Sequence, residues 1–309
     1  MKALLVRGAL FSLPLLGLLA ALQAAVLTGA RHSQVHQPGK VNLLMQHRID
    51  PELAIFGSSN ALTDFDAPLI ERLTGLRTFN MGLDGMPFVE YQALLREFIA
   101  HSKKVHTVVL AETFLTFDPL PAVASPGRLI PYVGEPAVYQ TLEEIDAPLA
   151  WRLSHVPLYS FVAADAELYR TAARGALALL GRPPADDEKQ GFQPVDALWR
   201  PMEFPGSAGP SERIAQEFDA MIGQLIARGI EVVVVVTPVA SECQATVPGF
   251  QAHRRRLREI LGARGRFLDY SQHPIAADHR NFYNCGHLNV RGAEAFSRAF
   301  VQDLQAARR

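Results

Sequence analysis

Two short segments, far apart in the chain, carry the residue types of a hydroxyl nucleophile and its base. Ser59 lies in the segment Phe-Gly-Ser-Ser-Asn (56–60), and His287 lies in the segment Phe-Tyr-Asn-Cys-Gly-His-Leu-Asn (282–289). The first segment follows the apolar run 53–56, which reads as a buried strand. A serine at the end of such a strand and a histidine on a late loop can meet at one edge of an α/β sheet. This pairing predicts acyl transfer or hydrolysis through a serine nucleophile.

The elements that must hold these residues alternate between apolar strands and amphipathic helices. The valine run 232–236 has no polar alternation, as expected for a strand that is covered on both faces. Helical patterns follow at 88–99 and 250–261, and another begins after Ser211, which we expect to cap it. The pattern predicts a doubly wound parallel α/β sheet with its site at the carboxyl ends of the strands. The predicted strands are 53–56, 76–79, 105–110, 230–236 and 266–269.

Residues 118–210 interrupt this alternation with many prolines and short helical pieces. A connection of this length inside a domain is an insertion. We therefore predict an α/β domain over 51–309 with a cap insertion at about 118–210. Two roles for the insertion remain open, because it could shape a substrate pocket or be a structural excursion without ligand contact.

The first thirty residues differ from the rest of the chain. Lys2 and Arg7 precede an uncharged run from Gly8 to Ala30, which is long enough to cross a hydrocarbon core of about 30 Å. We expect residues 1–30 to be an uncleaved signal anchor with its amino terminus inside, followed by a polar linker at 31–50. A cleaved signal peptide is the alternative.

Composition excludes some classes of protein. The 309 residues carry a net charge of −1, with 49% hydrophobic and 20% charged residues, which is an ordinary globular balance. Nucleic-acid binding is not expected, because phosphate recognition requires a basic surface. The two cysteines, Cys243 and Cys285, follow late strands on the same predicted edge. In an oxidising compartment they could form a disulfide, and two separate buried thiols are the alternative.

The order of these segments resembles the SGNH/GDSL hydrolase superfamily over roughly residues 50–118 and 230–302. The resemblance is to its membrane-anchored bacterial branch, which includes proteins of D-alanyl transfer to lipoteichoic acid and of alginate O-acetylation. Gly57-Ser58-Ser59 matches the Gly-Asp-Ser block, with Ser58 in place of the aspartate. The resemblance implies a flavodoxin-like three-layer fold and Ser59 as the nucleophile.

The same resemblance suggests where an oxyanion would be held. Gly82 follows the second strand in the segment 79–85 and matches the family glycine whose backbone N–H helps to bind an oxyanion. The Ser59 N–H would be the second donor. The asparagine expected after the third strand is missing, and Asn80 or Thr113 could donate in its place.

The histidine block of the family is Asp-x-x-His, and here its first position is Asn284. A carboxylate would accept the imidazole Nδ1–H and stabilise the imidazolium, whereas an asparagine can only orient the ring. Three interpretations stay open. Asn284 orients a Ser59–His287 pair, another carboxylate such as Asp278 replaces the acid, or the chain is a catalytically weakened binding protein.

Late histidines and carboxylates raise the question of a metal, since Asp269, His273, Asp278, His279 and His287 are close in sequence. They lack the regular spacing of a zinc site, so we predict no metal and no cofactor. The resemblance implies a serine-dependent esterase or O-acyltransferase that acts on envelope or exported polysaccharide. It also implies a place on the outer side of the cytoplasmic membrane, with a membrane-bound acyltransferase as a partner. The alternative is a weakened glycan-binding or assembly factor.

Overall fold

The computed structural model describes residues 2–202, 209–247 and 249–306. Its main sheet has five parallel strands in the order β2-β1-β3-β4-β5, and a separate antiparallel pair, β6-β7, lies near the carboxyl terminus. The strands are β1 Leu53–Gly57, β2 Thr78–Asn80, β3 Thr107–Glu112, β4 Glu231–Val236, β5 Arg266–Asp269, β6 Phe282–Asn284 and β7 His287–Leu288.

Helices connect the strands. They are α1 Lys2–His32, α2 His36–Met45, α3 Ser59–Asp64, α4 Ala67–Thr74, α5 Phe88–His101, α6 Pro126–Leu129, α7 Pro136–His155, α8 Tyr159–Ala163, α9 Ala166–Leu179, α10 Glu212–Ala227, α11 Phe250–Leu261, α12 Pro274–Ala277 and α13 Val290–Ala306. Short 3-10 turns occur at Ile130–Tyr132, Gln244–Thr246 and His279–Asn281. Helix α2 lies within the predicted linker at 31–50.

The chain forms two compact units. The sheet unit contains Leu43–Pro121 and Asp186–Arg309, and the helical unit contains Met1–Asn42 and Ala122–Ala185. The division between the units therefore falls within α2.

The centre of the sheet is buried on both faces. Strand β3 pairs with β4 over its whole length, from Thr107 opposite Glu231 to Glu112 opposite Val236. All six residues of β3 are buried, and so are the five valines of β4. Apolar side chains without alternation can be accommodated only when both faces are covered, so the valine run accounts for this central position.

The turn from β1 into α3 places Ser59 at the carboxyl edge of the sheet. Gly57, the last residue of β1, has φ of +155°. A Cβ atom there would lie 2.4 Å from the backbone oxygen of Ala111 on β3, so a side chain does not fit. The chain then turns sharply, and α3 begins at Ser59.

A two-residue hairpin carries the histidine. Strands β6 and β7 are antiparallel, and Asn284 lies directly opposite His287 across the turn. Helix α13 follows at once, and its Phe296 and Phe300 pack edge-on against Phe65, at ring centroid distances of 4.9 and 5.3 Å. This aromatic packing anchors the helix that follows the histidine.

The helical unit is built on the pairing of α1 with α9. A Cβ atom on Gly175 would lie 1.7 Å from the backbone oxygen of Gly29, and one on Gly29 would lie 2.7 Å from that of Ala172. The two backbones approach closely because both contact positions are glycine. Ala30, Ile130 and the α9 residues Leu168 and Ala172 form a buried apolar cluster beside this contact.

Within α1, Ser12–His32 is long and apolar enough to cross a membrane, with a mean hydropathy of 1.8. Only 11% of its most apolar window is buried inside the protein. A bilayer core requires about 20 apolar residues, so the length and the exposure of this segment both fit a membrane span.

Candidate active site

A chain of two hydrogen bonds connects Ser59, His287 and Asn284. The Oγ of Ser59 lies 2.7 Å from Nε2 of His287, and Nδ1 of the same ring lies 2.8 Å from Oδ1 of Asn284. Serine and histidine are 228 residues apart in sequence. The β1–α3 turn and the β6–β7 hairpin therefore bring together the three residues that the sequence singled out.

The backbone fixes which ring nitrogen carries the proton. The N–H of Gly286 donates to Oδ1 of Asn284 at 3.0 Å, and a backbone N–H can only donate. The oxygen of the Asn284 side chain must therefore face the hairpin, where it also accepts from Nδ1 of His287. Because Nδ1 carries the hydrogen, Nε2 of the neutral ring is an acceptor for the Ser59 hydroxyl. This is the tautomer that a general base requires.

Burial keeps His287 neutral. Removal from water lowers the pKa of its imidazole to about 4, and the negative charge of Asp84 acts in the opposite direction. The ring of Tyr283 also stacks on the imidazole, with centroids 5.5 Å apart. At neutral pH the histidine is therefore ready to accept a proton.

Two polar side chains from the serine side hold the histidine hairpin in place. Oδ1 of Asp64 accepts the backbone N–H of Leu288 at 2.9 Å, and burial raises the pKa of this carboxyl to about 8. The amide of Asn60 donates to the backbone oxygen of Gly286 at 2.8 Å and to Thr237 at 3.1 Å. Helix α3 therefore fixes both the nucleophile and the loop that carries its base.

A disulfide joins Cys243 to Cys285, with Cα atoms 5.7 Å apart. Cys285 lies in the hairpin turn, and its backbone oxygen accepts from the N–H of Ala240 at 3.0 Å. The covalent link thus connects the segment after β4 to the turn that orients His287.

Gly82 and Asn80, the expected oxyanion donors, make hydrogen bonds within the protein. The N–H of Gly82 donates to Oδ1 of Asn80 at 2.8 Å. The Asn80 amide donates to the backbone oxygens of Ala61 and Phe65, at 2.6 and 3.0 Å, and is fully buried. Glycine is required at position 82 for packing, because a Cβ atom would lie 2.3 Å from the backbone nitrogen of Leu62. The Asn80 amide thus holds the backbone of helix α3, and the Gly82 N–H holds the Asn80 side chain.

Other groups surround the serine. Thr113 lines the same cavity as Ser59, although its hydroxyl already accepts from the N–H of Leu115 at 3.3 Å. The loop after β2 reaches the cavity with Asp84 and Gly85 rather than with Gly82. Of the expected donors, Ser59 and Thr113 line the cavity.

Asp278 does not replace the missing acid. Its carboxylate pairs with Arg280 at 2.8 Å and with Arg291 at 3.2 Å. The hydrogen bond from Arg280 is the main reason that the pKa of Asp278 falls to about 2. Asp269, from the same late segment, pairs with Arg254. These carboxylates are thus committed to arginines and not to His287.

The site opens into a cavity of about 530 Å³ within the sheet unit. Its wall is mainly apolar and includes Phe88, Leu115 and Phe250. The buried Glu112 also lines it, where the Tyr91 hydroxyl and the Thr116 hydroxyl donate to its carboxylate. Burial raises the pKa of Glu112 to about 7.

Asn60, Asp64, Asp84 and Tyr283 were not identified from the sequence. Asn60 and Asp64 had one available signal, since they occupy the helix that begins at the nucleophile. Their partners are more than two hundred residues away, at sequence separations of 226 and 224, so the pairing is visible only in the fold.

No protein-family model and no curated protein matches the chain. Among solved structures, it is similar to the crystal structure of a protein from Bacteroides fragilis NCTC 9343 that carries the name putative acylhydrolase. The two share 11% identity, and the match covers 86% of this chain and 96% of that chain with a TM-score of 0.46. A similarity of this size says nothing about activity, so the function rests on the geometry around Ser59.

Proposed function

We propose that this protein is a serine-dependent esterase or O-acyltransferase of SGNH type. The hydrogen-bonded series Ser59, His287 and Asn284 is the observation that carries the proposal. It pairs a hydroxyl with a neutral imidazole in the tautomer that accepts a proton, and it opens into a cavity large enough for a substrate.

In the proposed reaction, Nε2 of His287 takes the proton of the Ser59 hydroxyl as Oγ attacks the ester carbonyl. The N–H of Ser59 and the Thr113 hydroxyl stabilise the oxyanion. His287 then returns the proton to the leaving alcohol as the ester bond breaks, which leaves an acyl-serine. Attack by water releases a carboxylic acid, and attack by a sugar hydroxyl gives a new ester.

The cellular setting is part of the proposal. The apolar helix α1 would anchor the chain in the cytoplasmic membrane, with the α/β domain of residues 51–309 on the outer side. The disulfide is consistent with this, because such bonds persist in oxidising compartments. Acylated envelope or exported polysaccharide would be the substrate, and a membrane-bound acyltransferase would be a partner.

A fluorophosphonate probe tests the nucleophile, because it reacts covalently only with an activated serine. We expect one adduct on the full-length protein, located at Ser59 by peptide mass spectrometry. Ser59→Ala should abolish the adduct, and His287→Ala should slow its formation by about 10²-fold or more. Ser58→Ala is the matched control, since Ser58 lines the same cavity and should leave labelling unchanged. Labelling that survives Ser59→Ala would contradict the proposal.

One observation favours a second function, that of a glycan-binding or assembly factor. The donors of Gly82 and Asn80 are engaged elsewhere, so the oxyanion has less support than in the family that the chain resembles. This function predicts that folded wild-type protein never labels at Ser59 and that Asn284→Asp does not restore labelling.

A further inference from the structure

The cavity beside Ser59 is larger and more apolar than the binding of a small acyl group requires. Apolar side chains from four separate segments face it: Pro87 and Phe88, Leu115 and Leu120, Val239, and Phe250. An acetyl group has a single methyl and would leave most of the 530 Å³ unfilled. Pockets of this size bury ligands with many heavy atoms.

Two polar side chains of the wall, Asn60 and Glu112, already have hydrogen-bond partners within the protein. Asn60 bonds to Thr237 and Gly286, and Glu112 accepts from Tyr91 and Thr116. These groups therefore offer few free hydrogen bonds to a sugar ring, whose hydroxyls would each need a partner.

Two buried titratable groups of the wall, His253 and Glu112, are neutral or largely neutral in mildly acidic conditions. Burial lowers the pKa of His253 to about 4, which keeps this imidazole neutral at physiological pH. Burial raises the pKa of Glu112 to about 7, so its carboxyl is largely protonated in mildly acidic conditions. An apolar ligand can therefore enter without facing a buried ammonium or imidazolium.

We propose that this cavity binds an unbranched, medium-length acyl chain whose carbonyl carbon lies at Ser59 Oγ. The inference rests on the proposed function, since it names the acyl group of the same acyl-serine. The alcohol part of the ester then leaves on the solvent side, where Asp84 and Gly85 are exposed.

A series of p-nitrophenyl esters from acetate to decanoate tests the chain length, with the full-length protein in lipid nanodiscs. We expect kcat/KM to rise about two- to fourfold for each added methylene until the cavity is filled, and then to level off. The same rise should vanish with Ser59→Ala.

Leu115→Trp should shorten the available cavity. We expect it to reduce kcat/KM for octanoate at least ten times more than kcat/KM for acetate, while circular dichroism reports that the variant is folded. Leu120→Ser, which makes the wall polar without filling it, should give the same selective loss. Leu198→Trp is the matched control, because Leu198 is 88% exposed and lies outside the cavity.

The two proposals fail in different ways. Hydrolysis of acetate that depends on Ser59 but does not increase with chain length would overturn the acyl-chain inference alone. The same holds for a Leu115→Trp enzyme that keeps its octanoate activity. Absence of Ser59-dependent hydrolysis and of fluorophosphonate labelling would overturn the proposed function itself.

Discussion

Asn284 accepts the Nδ1–H of His287 at 2.8 Å through the same oxygen that accepts a backbone N–H of the hairpin turn. This shared acceptor explains how an amide can occupy the position of an acid. In a serine protease whose triad is built around aspartate, the change of that aspartate to asparagine lowers turnover about 10⁴-fold, because the ring adopts the wrong tautomer. Here the N–H of Gly286 prevents the amide from rotating and so enforces the productive tautomer.

Substitution of Asn284 tests this orientation. Asn284→Ala should slow fluorophosphonate labelling of Ser59 by about 10–10²-fold without unfolding the protein, because the ring loses its orienting acceptor. Asn284→Asp should preserve or raise the rate, since a carboxylate accepts both N–H groups and stabilises the imidazolium. Asp278→Ala serves as the control. A silent Asn284→Ala combined with a severe Asp278→Ala would contradict the hydrogen bonding described above.

The pKa of His287 sets the acid limit of reactivity. The imidazole acts as a base only when neutral, so the labelling rate should be constant from about pH 8 to pH 5 and fall to half near pH 4. Asp84 stabilises the imidazolium, so Asp84→Asn should move this midpoint to lower pH. The labelling rate is measured at each pH from reactions quenched at fixed times, and circular dichroism verifies that the protein is folded. A wild-type midpoint near the ordinary histidine pKa of 6.5 would mean that burial does not control the ring.

The buried carboxyl of Asp64 should make stability depend on pH. Its pKa is raised to about 8 by burial, so the folded state binds a proton that the unfolded chain has released above about pH 4. The contribution of this group to the free energy of unfolding is therefore fully present at low pH. It is lost as pH rises towards 8, at up to about 1.4 kcal/mol per pH unit. Asp64→Asn should flatten this slope in urea unfolding from about pH 5 to pH 8. An unchanged slope would exclude Asp64 as its source.

The disulfide should contribute both stability and order at the histidine turn. It closes a loop with a sequence separation of 42, for which chain entropy predicts about 4 kcal/mol of the free energy of unfolding. The double variant Cys243→Ser, Cys285→Ser should lose most of this free energy of unfolding in denaturant titrations. Its Ser59 should also react more slowly with the fluorophosphonate probe. Wild-type protein in reductant is the matched comparison. Alkylation of both cysteines in non-reduced protein from an oxidising compartment would show that the bond does not form.

The strands could be read from the sequence because their signals are local. Arg266–Asp269 forms β5 with the expected bounds, and the predicted helix at 250–261 is α11. Capping was less predictable. Ser211 is in the N-cap position of α10, yet its side chain makes no capping hydrogen bond. The pattern of apolar residues predicts where a helix or strand begins and ends. The direction of a side chain such as that of Ser211 depends on its neighbours in the fold.

The expected oxyanion donors show that the order of residues in the sequence does not determine their hydrogen-bond partners. Gly82 and Asn80 occur in the order that the family resemblance implies, and both lie close to α3 in space. The Gly82 N–H, however, donates to Oδ1 of Asn80, and the Asn80 amide donates to the backbone oxygens of residues 61 and 65, which lie 19 and 15 positions earlier. Ser59 and His287 were predictable because Ser59 follows a buried strand and His287 comes just before the final helix. The competing acceptors of Asn80 had no sequence signature.

The glycine contact between α1 and α9 has a consequence for how the protein is made. Gly29 meets Ala172 and Gly175, so the amino-terminal helix cannot acquire its packing partner until more than a hundred further residues have left the ribosome. During that interval the helix lacks this partner, and in the membrane setting proposed above lipids would surround it. Deleting residues 1–32 to obtain a soluble protein would expose the face of α9 that this contact covers. A truncated preparation that aggregates would therefore report a lost helix partner rather than a fault in the catalytic fold.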